Sequence, residues 1–215
     1  MTVVPVAFQL ASWIPAWWRG AVGGDDMVSL MGSVDLPALR ELRGDTLGVG
    51  AYCPALSVAV LPGPKSTTEA AVAAGQAVVL HRVAGPSAVL VPDGASWSVL
   101  EANPSRPSAL TLDQAATELA EAVVAAEHAL RETGRRTTVE PRSAAIRSLP
   151  PDADPARRAL LTRAVRVWTA VEAVESVGRG PLLEQVRAAA ARAALASYAE
   201  PLRTTRDRTS DRRYA

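Results

Sequence analysis

The chain has 215 residues, enough for one domain or two small ones with a substantial core. Hydrophobic residues make up 48% of it and charged residues 21%, which is typical of globular proteins and argues against disorder outside the ends. The formal net charge of +1 provides no field that would steer nucleic acid or an anionic membrane surface to the protein. We therefore expect no membrane partner, and the charge also argues against nucleic acid.

Cysteine usage and the N-terminal sequence both predict a cytoplasmic protein. The single cysteine, Cys53, cannot form an intramolecular disulfide, which fits a reducing compartment. The first apolar run has no basic residues before it and is interrupted by Pro5 and Pro15, so it makes a poor signal peptide. No apolar stretch reaches the roughly 18 residues that a membrane span needs.

The first part of the chain is predicted to be mixed, with a small antiparallel sheet. Asp25 and Asp26 ahead of an apolar pentapeptide predict a short helix with acids at its positive N-terminus. Residues 57–61 are a strand candidate, and the S-x-x-E pair Ser66 and Glu69 predicts a capping box on a short Ala-rich helix. Three further strand candidates are separated by turn residues and predict an antiparallel meander. They are residues 77–83, 87–91 and 96–100.

The second part is predicted to be helical. Apolar residues three and four apart predict a long helix from Leu112, Asp154 and Pro155 open a second, and Pro181 opens a third. Because strands and helices are segregated along the chain, the fold class is predicted to be α+β: a small, mostly antiparallel sheet with short flanking helices, followed by three longer packed helices. The expected division is a mixed region over 1–108, a helical region over 109–202 that packs on it, and a disordered Arg-rich tail over 203–215.

No intact catalytic or metal-binding motif is present in the sequence. The run around Lys65 lacks the glycines of a phosphate-binding loop, and Pro64 has no N–H to offer a phosphate. Neither His81 nor His128 has a Cys or His at chelating spacing, and Cys53 lies in an apolar stretch that would not stabilise a thiolate. We expect no metal and no cofactor. Whether the chain is an enzyme stays open, with the weight of these observations against it.

The tryptophans near the N-terminus are the leading functional candidates. Trp13, Trp17 and Trp18 lie within six residues, on a segment that Pro15 is expected to start or kink as a helix. Burial in the core is the competing interpretation, because large aromatic side chains are usually buried. Exposed Trp and Arg are typical of binding hot spots, so Trp17, Trp18 and Arg19 are the predicted partner-binding residues. The leading hypothesis is a non-catalytic cytoplasmic protein-interaction module whose partner is another protein or a second copy.

Two other classes of function remain open. A small-molecule-binding or hydrolytic domain could place its site between the sheet and the helices, if His81, Arg82, Asp93 and Glu101 converge there. Nucleic-acid binding through the arginines of the tail is weakened by the aspartates interleaved among them.

Three short groups of motifs resemble uncharacterised proteins of high-GC actinobacteria. They are WIPAWW (13–18) with GGDD (23–26), LPGP (61–64) with GQAVV (75–79), and LPP (149–151) with PARRAL (155–160). The resemblance implies an organism class. It implies no activity, and it brings no catalytic residue to any position of this chain.

Overall fold

The structure is a computed structural model that describes residues 5–54, 61, 63–103, 110–132, 148–175 and 180–201. Its elements, in chain order, are α1 (Val6–Arg19), α2 (Gly24–Met31), α3 (Leu36–Glu41), a 3-10 turn (Leu42–Asp45), β1 (Thr46–Tyr52), α4 (Lys65–Ala74), β2 (Ala77–Arg82), β3 (Ser87–Asp93), β4 (Ser96–Ala102), α5 (Leu112–Glu132), α6 (Pro155–Glu175), α7 (Pro181–Tyr198) and β5 (Glu200–Pro201). The predicted α+β class is confirmed, with a largely antiparallel sheet and short helices followed by three longer helices.

The strands form one sheet in the order β4-β3-β2-β1-β5, and every neighbouring pair is antiparallel. The predicted meander corresponds to β2, β3 and β4 and is confirmed. The strand candidate at 57–61 lies, except for its last residue, outside the described residues. The strand β1, which the sequence analysis did not predict, lies a few residues earlier in the chain.

Strand β1 was hard to predict because two of its residues are glycines, and the structure explains why glycine is needed at one of these positions. A Cβ at Gly50 would lie 3.1 Å from Nε2 of the buried His81 on the neighbouring strand. Gly50 therefore leaves room for the imidazole, which is the close approach that glycine inside a strand often marks. Gly48 lies directly opposite His81 in the register of β1 and β2.

Helices cover both faces of the sheet. The side chains that face α1 include Val49, Val78 and Leu90, whereas Val79 and Val89 alternate to the other face and pack with α4. Helix α7 packs on the side of α1 away from the sheet, and α5 and α6 pack against α7. The layers therefore run from α4 through the sheet and α1 to the three long helices.

Helix α1 is the central element of this arrangement. Of its 14 residues 11 are buried, as expected for a helix that is covered on all sides. It begins at Val6, so of the two expectations for Pro15 the one that it starts the helix is wrong, and the one that it kinks the helix stays a prediction. Pro15 lies buried within the helix. The missing N–H of Pro15 removes one backbone hydrogen bond, which the packing around the helix offsets.

Two predicted helix starts are confirmed and one predicted cap is wrong. The Asp26 carboxylate accepts a hydrogen bond from the Gly23 N–H at 3.1 Å, and the Asp154 carboxylate caps α6 through the Ala156 N–H at 2.8 Å. The predicted capping box at Ser66 does not form. Helix α4 begins at Lys65, two residues before the start that Ser66 as N-cap predicts. Its N-cap is Pro64, whose φ of −53° already suits a helix start, and no side chain caps it.

One buried cluster joins the two halves of the chain. It includes Ile14 and Val78 from the mixed region together with Leu119 and Ala190 from the long helices. The division near residue 108 stays a prediction, and the Arg-rich tail over 203–215 lies outside the described residues. Within the described part of the chain, no helix is both long and apolar enough to cross a membrane.

Candidate functional site

The structure buries the predicted tryptophan patch. Trp17 is 6% exposed and Trp18 is 4% exposed, because α1 is enclosed between the sheet and α7. The expectation that these indoles form an exposed surface is therefore wrong. Arg19, at the C-terminal end of α1, is exposed, and its guanidinium forms an ion pair with Asp152 at 2.7 Å.

The residues of the alternative site do not converge. His81 and Arg82 are consecutive on β2, so their side chains alternate to opposite faces of the sheet. The His81 side chain lies over Gly50, whereas the Arg82 guanidinium reaches Asp45 in the 3-10 turn at 3.1 Å.

Asp93 and Glu101 are also far from each other. Glu101 lies opposite Ala88 near one end of β3, and Asp93 is the last residue of the same strand. At ~3.3 Å per residue, the five steps from 88 to 93 separate these positions by about 16 Å. The four polar residues therefore do not line a common pocket between the sheet and the helices.

No metal site emerges from the described residues, since none of them form a group of three or more His, Cys, Asp or Glu side chains that could hold an ion. Cys53 is buried within the core cluster that includes residues of α1.

The structure instead contains a cleft of about 510 Å³ between the end of α1, the start of α2 and the length of α3, which we call the Trp17 cleft. The buried ring of Trp17 forms its floor. Half-buried and exposed residues form its walls and rim. The lining residues are Trp17, Gly24, Leu36, Pro37, Arg40 and Glu41.

Local sequence signals build the walls of this cleft. Gly20, in the left-handed conformation at φ 81°, ends α1 and turns the chain toward α2. The Asp35 carboxylate caps α3 by accepting a hydrogen bond from the Ala38 N–H at 3.0 Å, and Pro37 lies in the first turn. Positions 36, 37, 40 and 41 share one side of a helix, so α3 presents all four to the cleft.

The most specific contact in the Trp17 cleft is between Arg40 and Trp17. The central guanidinium carbon of Arg40 lies 5.1 Å from the centre of the Trp17 ring, within the range of a cation–π interaction. Arg40 itself is exposed, and it forms no ion pair with any carboxylate in the described part of the chain.

The lining of the Trp17 cleft combines apolar and charged side chains. The six lining residues contain one carboxylate and one guanidinium, and none carries a hydroxyl, thiol, imidazole or amine side chain. The cleft therefore offers apolar area and one charge of each sign, but no nucleophile and no paired acid and base.

Sequence reasoning found Trp17 but assigned it to the wrong kind of surface, and it missed the rest of the cleft. The missed signal was Asp35-Leu36-Pro37, an N-cap residue followed by proline in the first turn, which predicts a helix start.

No family model matches the chain, and neither a curated protein nor a solved structure matches it.

Proposed function

We propose that this protein is a non-catalytic interaction protein of the cytoplasm that docks a segment of a partner protein in the Trp17 cleft. The observation that supports the proposal is the combination of Trp17 in the lining with an arginine whose guanidinium carbon lies 5.1 Å from the centre of the Trp17 ring. That arginine has no carboxylate partner among the described residues. Tryptophan and arginine in a partly enclosed pocket are the residues that most often dominate binding energy at protein interfaces.

The shape of the cleft favours a macromolecular partner over a small ligand. Pro37, Arg40 and Glu41 on its rim are exposed, so only the floor of the cleft is enclosed. Small-molecule sites bury 70–90% of their ligands, roughly, and an open rim does not provide that cover. A bound protein segment would bring its own surface to cover the rim.

A small-molecule-binding function is the second candidate. The volume of about 510 Å³ falls within the range of roughly 300–1,000 Å³ that is usual for such sites. The hydrolytic version of this alternative has less support, because His81, Arg82, Asp93 and Glu101 do not meet.

The cytoplasmic assignment is supported by the single buried cysteine, which needs no oxidising compartment.

Site-specific photo-cross-linking in the native host tests the proposal. A photoreactive phenylalanine analogue would replace Pro37 on the rim of the cleft. In a matched control it would replace Val72, which is 51% exposed on α4 at the opposite face of the sheet. We expect a discrete cross-linked protein from position 37 that is absent from position 72 and is lost when Arg40→Glu is added.

A product with twice the mass of the chain would identify the partner as a second copy. Cross-links of equal yield from positions 37 and 72, or a product that Arg40→Glu leaves unchanged, would overturn the proposal. If a small molecule binds the cleft saturably and position 37 gives no protein cross-link for it to compete with, the second candidate would be favoured.

A further inference from the structure

We infer that the Trp17 cleft selects partner segments that carry a carboxylate next to an apolar side chain, and that Arg40 is the residue that binds the carboxylate. The inference deepens the proposed function and rests on it, because it states which chemistry the docked segment must present.

The position of the Arg40 guanidinium supports this assignment. Its central carbon lies over the Trp17 ring, 5.1 Å from the ring centre, and the N–H donors of a guanidinium lie in its own plane. These donors match the two oxygens of a carboxylate, and charge-assisted pairs of this kind are about twice as strong as neutral hydrogen bonds. The indole also restricts the side chain of Arg40, which lowers the entropic cost of binding an anion.

Several arginines of the described surface pair with a carboxylate, and Arg40 pairs with none among the described residues. Arg19 pairs with Asp152 at 2.7 Å, and Arg187 pairs with Glu184 at 2.7 Å. Arg40 has no such partner in the described ranges, so its binding capacity is available to an incoming group.

The apolar requirement comes from the rest of the lining. Trp17, Leu36 and Pro37 contribute carbon surface to the same lining as Arg40. An aliphatic or aromatic side chain would fill this volume while a neighbouring carboxylate reaches Arg40. Glu41 on the same rim repels anions, so a single carboxylate is favoured over a dianionic phosphate.

The chain offers a matched control for Arg40. Arg43, three residues further along, is also exposed and also lacks a carboxylate partner among the described residues, but it does not line the cleft. Replacing either arginine with glutamine removes one positive charge from the same region of the surface. Only the change at position 40 removes a donor from the cleft.

Two capped peptides that differ in one group provide the test. Ac-Gly-Leu-Asp-Gly-NH2 and Ac-Gly-Leu-Asn-Gly-NH2 would be titrated into the full-length isotope-labelled protein, and the indole N–H of Trp17 and the Nε–H of Arg40 would be followed by NMR. We expect the aspartate peptide to shift both resonances and to bind about fivefold to tenfold more tightly than the asparagine peptide. The preference should vanish in Arg40→Gln, persist in Arg43→Gln, and increase in Glu41→Gln.

Each result separates the inference from the proposed function. Equal affinity of both peptides, with a shift at Trp17, would overturn carboxylate selection and leave protein docking in the cleft intact. A preference for aspartate that survives in Arg40→Gln would overturn the role of Arg40. The absence of any shift at Trp17 with either peptide would overturn the inference altogether, whereas the cross-linking from position 37 decides the proposed function independently.

Discussion

Replacing Gly32 with alanine should destabilise the protein by far more than the same change at Gly20. Gly32 ends α2 at φ 70° and ψ −135°, a conformation that L-residues rarely adopt, and a Cβ there would lie 2.6 Å from the backbone oxygen of Ala95. That oxygen also accepts a hydrogen bond from the Ser33 N–H at 3.1 Å, and Ser33 in turn accepts one from the Trp97 N–H at 3.3 Å. The extra methyl group would therefore push directly on the link between α2 and the edge strand β4.

Two contributions determine the magnitude for Gly32→Ala. The unfavourable backbone conformation costs about 2 kcal/mol, and movement of residue 32 away from Ala95 weakens two backbone hydrogen bonds at about 1 kcal/mol each. The sum is about 4 kcal/mol. At Gly20 the conformation is left-handed at φ 81° and ψ 13°, and no heavy atom lies within 4 Å of the added Cβ. Gly20→Ala should therefore cost only about 1 kcal/mol.

Equilibrium unfolding in urea, followed by tryptophan fluorescence and far-UV circular dichroism, measures both changes. The two variants should differ by about 3 kcal/mol in the free energy of unfolding at an unchanged m-value. A difference below about 1 kcal/mol would refute the reasoning, because it would mean that the contact with Ala95 imposes no constraint beyond the backbone conformation itself.

Three further predictions use the same unfolding assay. Asp154→Ala removes the cap of α6 and should lower the free energy of unfolding by about 1 kcal/mol. Ser66→Ala, in a helix without a side-chain cap, should change it by no more than about 0.5 kcal/mol, and equal losses would contradict the cap assignments. Glu118 on α5 and Arg192 on α7 form an ion pair while 38% and 36% exposed. A double-mutant cycle should therefore give a coupling energy of about 0.5–1 kcal/mol that salt weakens, and a coupling energy unchanged in 1 M NaCl would contradict the expected screening. Trp17→Ala should lower stability by about 3–5 kcal/mol, and a much smaller loss would show that the indole is not part of the core.

Elements with strong local signals could be predicted from the sequence. The Asp154-Pro155 start gave α6, and the turn residues between 77 and 102 gave the meander, because both signals act on the residues that carry them. The strand β1 was missed since its glycines look unfavourable until the neighbouring His81 is in place. Helix α1 was not predicted from Val6 because Pro15 argues locally against it, and only the packing on all sides offsets that cost.

The candidate site depended even more on tertiary structure. The sequence places Trp17 among the functional candidates by residue type alone, but its partner Arg40 lies 23 positions further along the chain. No periodicity connects those positions, and the two meet only after Gly20 and Gly32 have turned the chain twice. The four polar residues of the alternative site failed for the opposite reason. All four lie on or at the ends of the strands β2, β3 and β4, but strand alternation and register distribute them over two faces and two ends of the sheet.

Trp17 packs in the core and also lines the cleft. This double role determines which substitutions can separate partner binding from stability. Its ring is 6% exposed, so nearly all of its surface contributes to packing, while the small remainder forms the floor of the cleft. A truncation of Trp17 removes both contributions together, and a loss of partner binding in that variant would follow from unfolding as readily as from a lost contact. Arg40 is exposed, in contrast to Trp17, so its replacement separates binding from stability. The interaction hypothesis that began with the tryptophans is therefore best tested at an arginine.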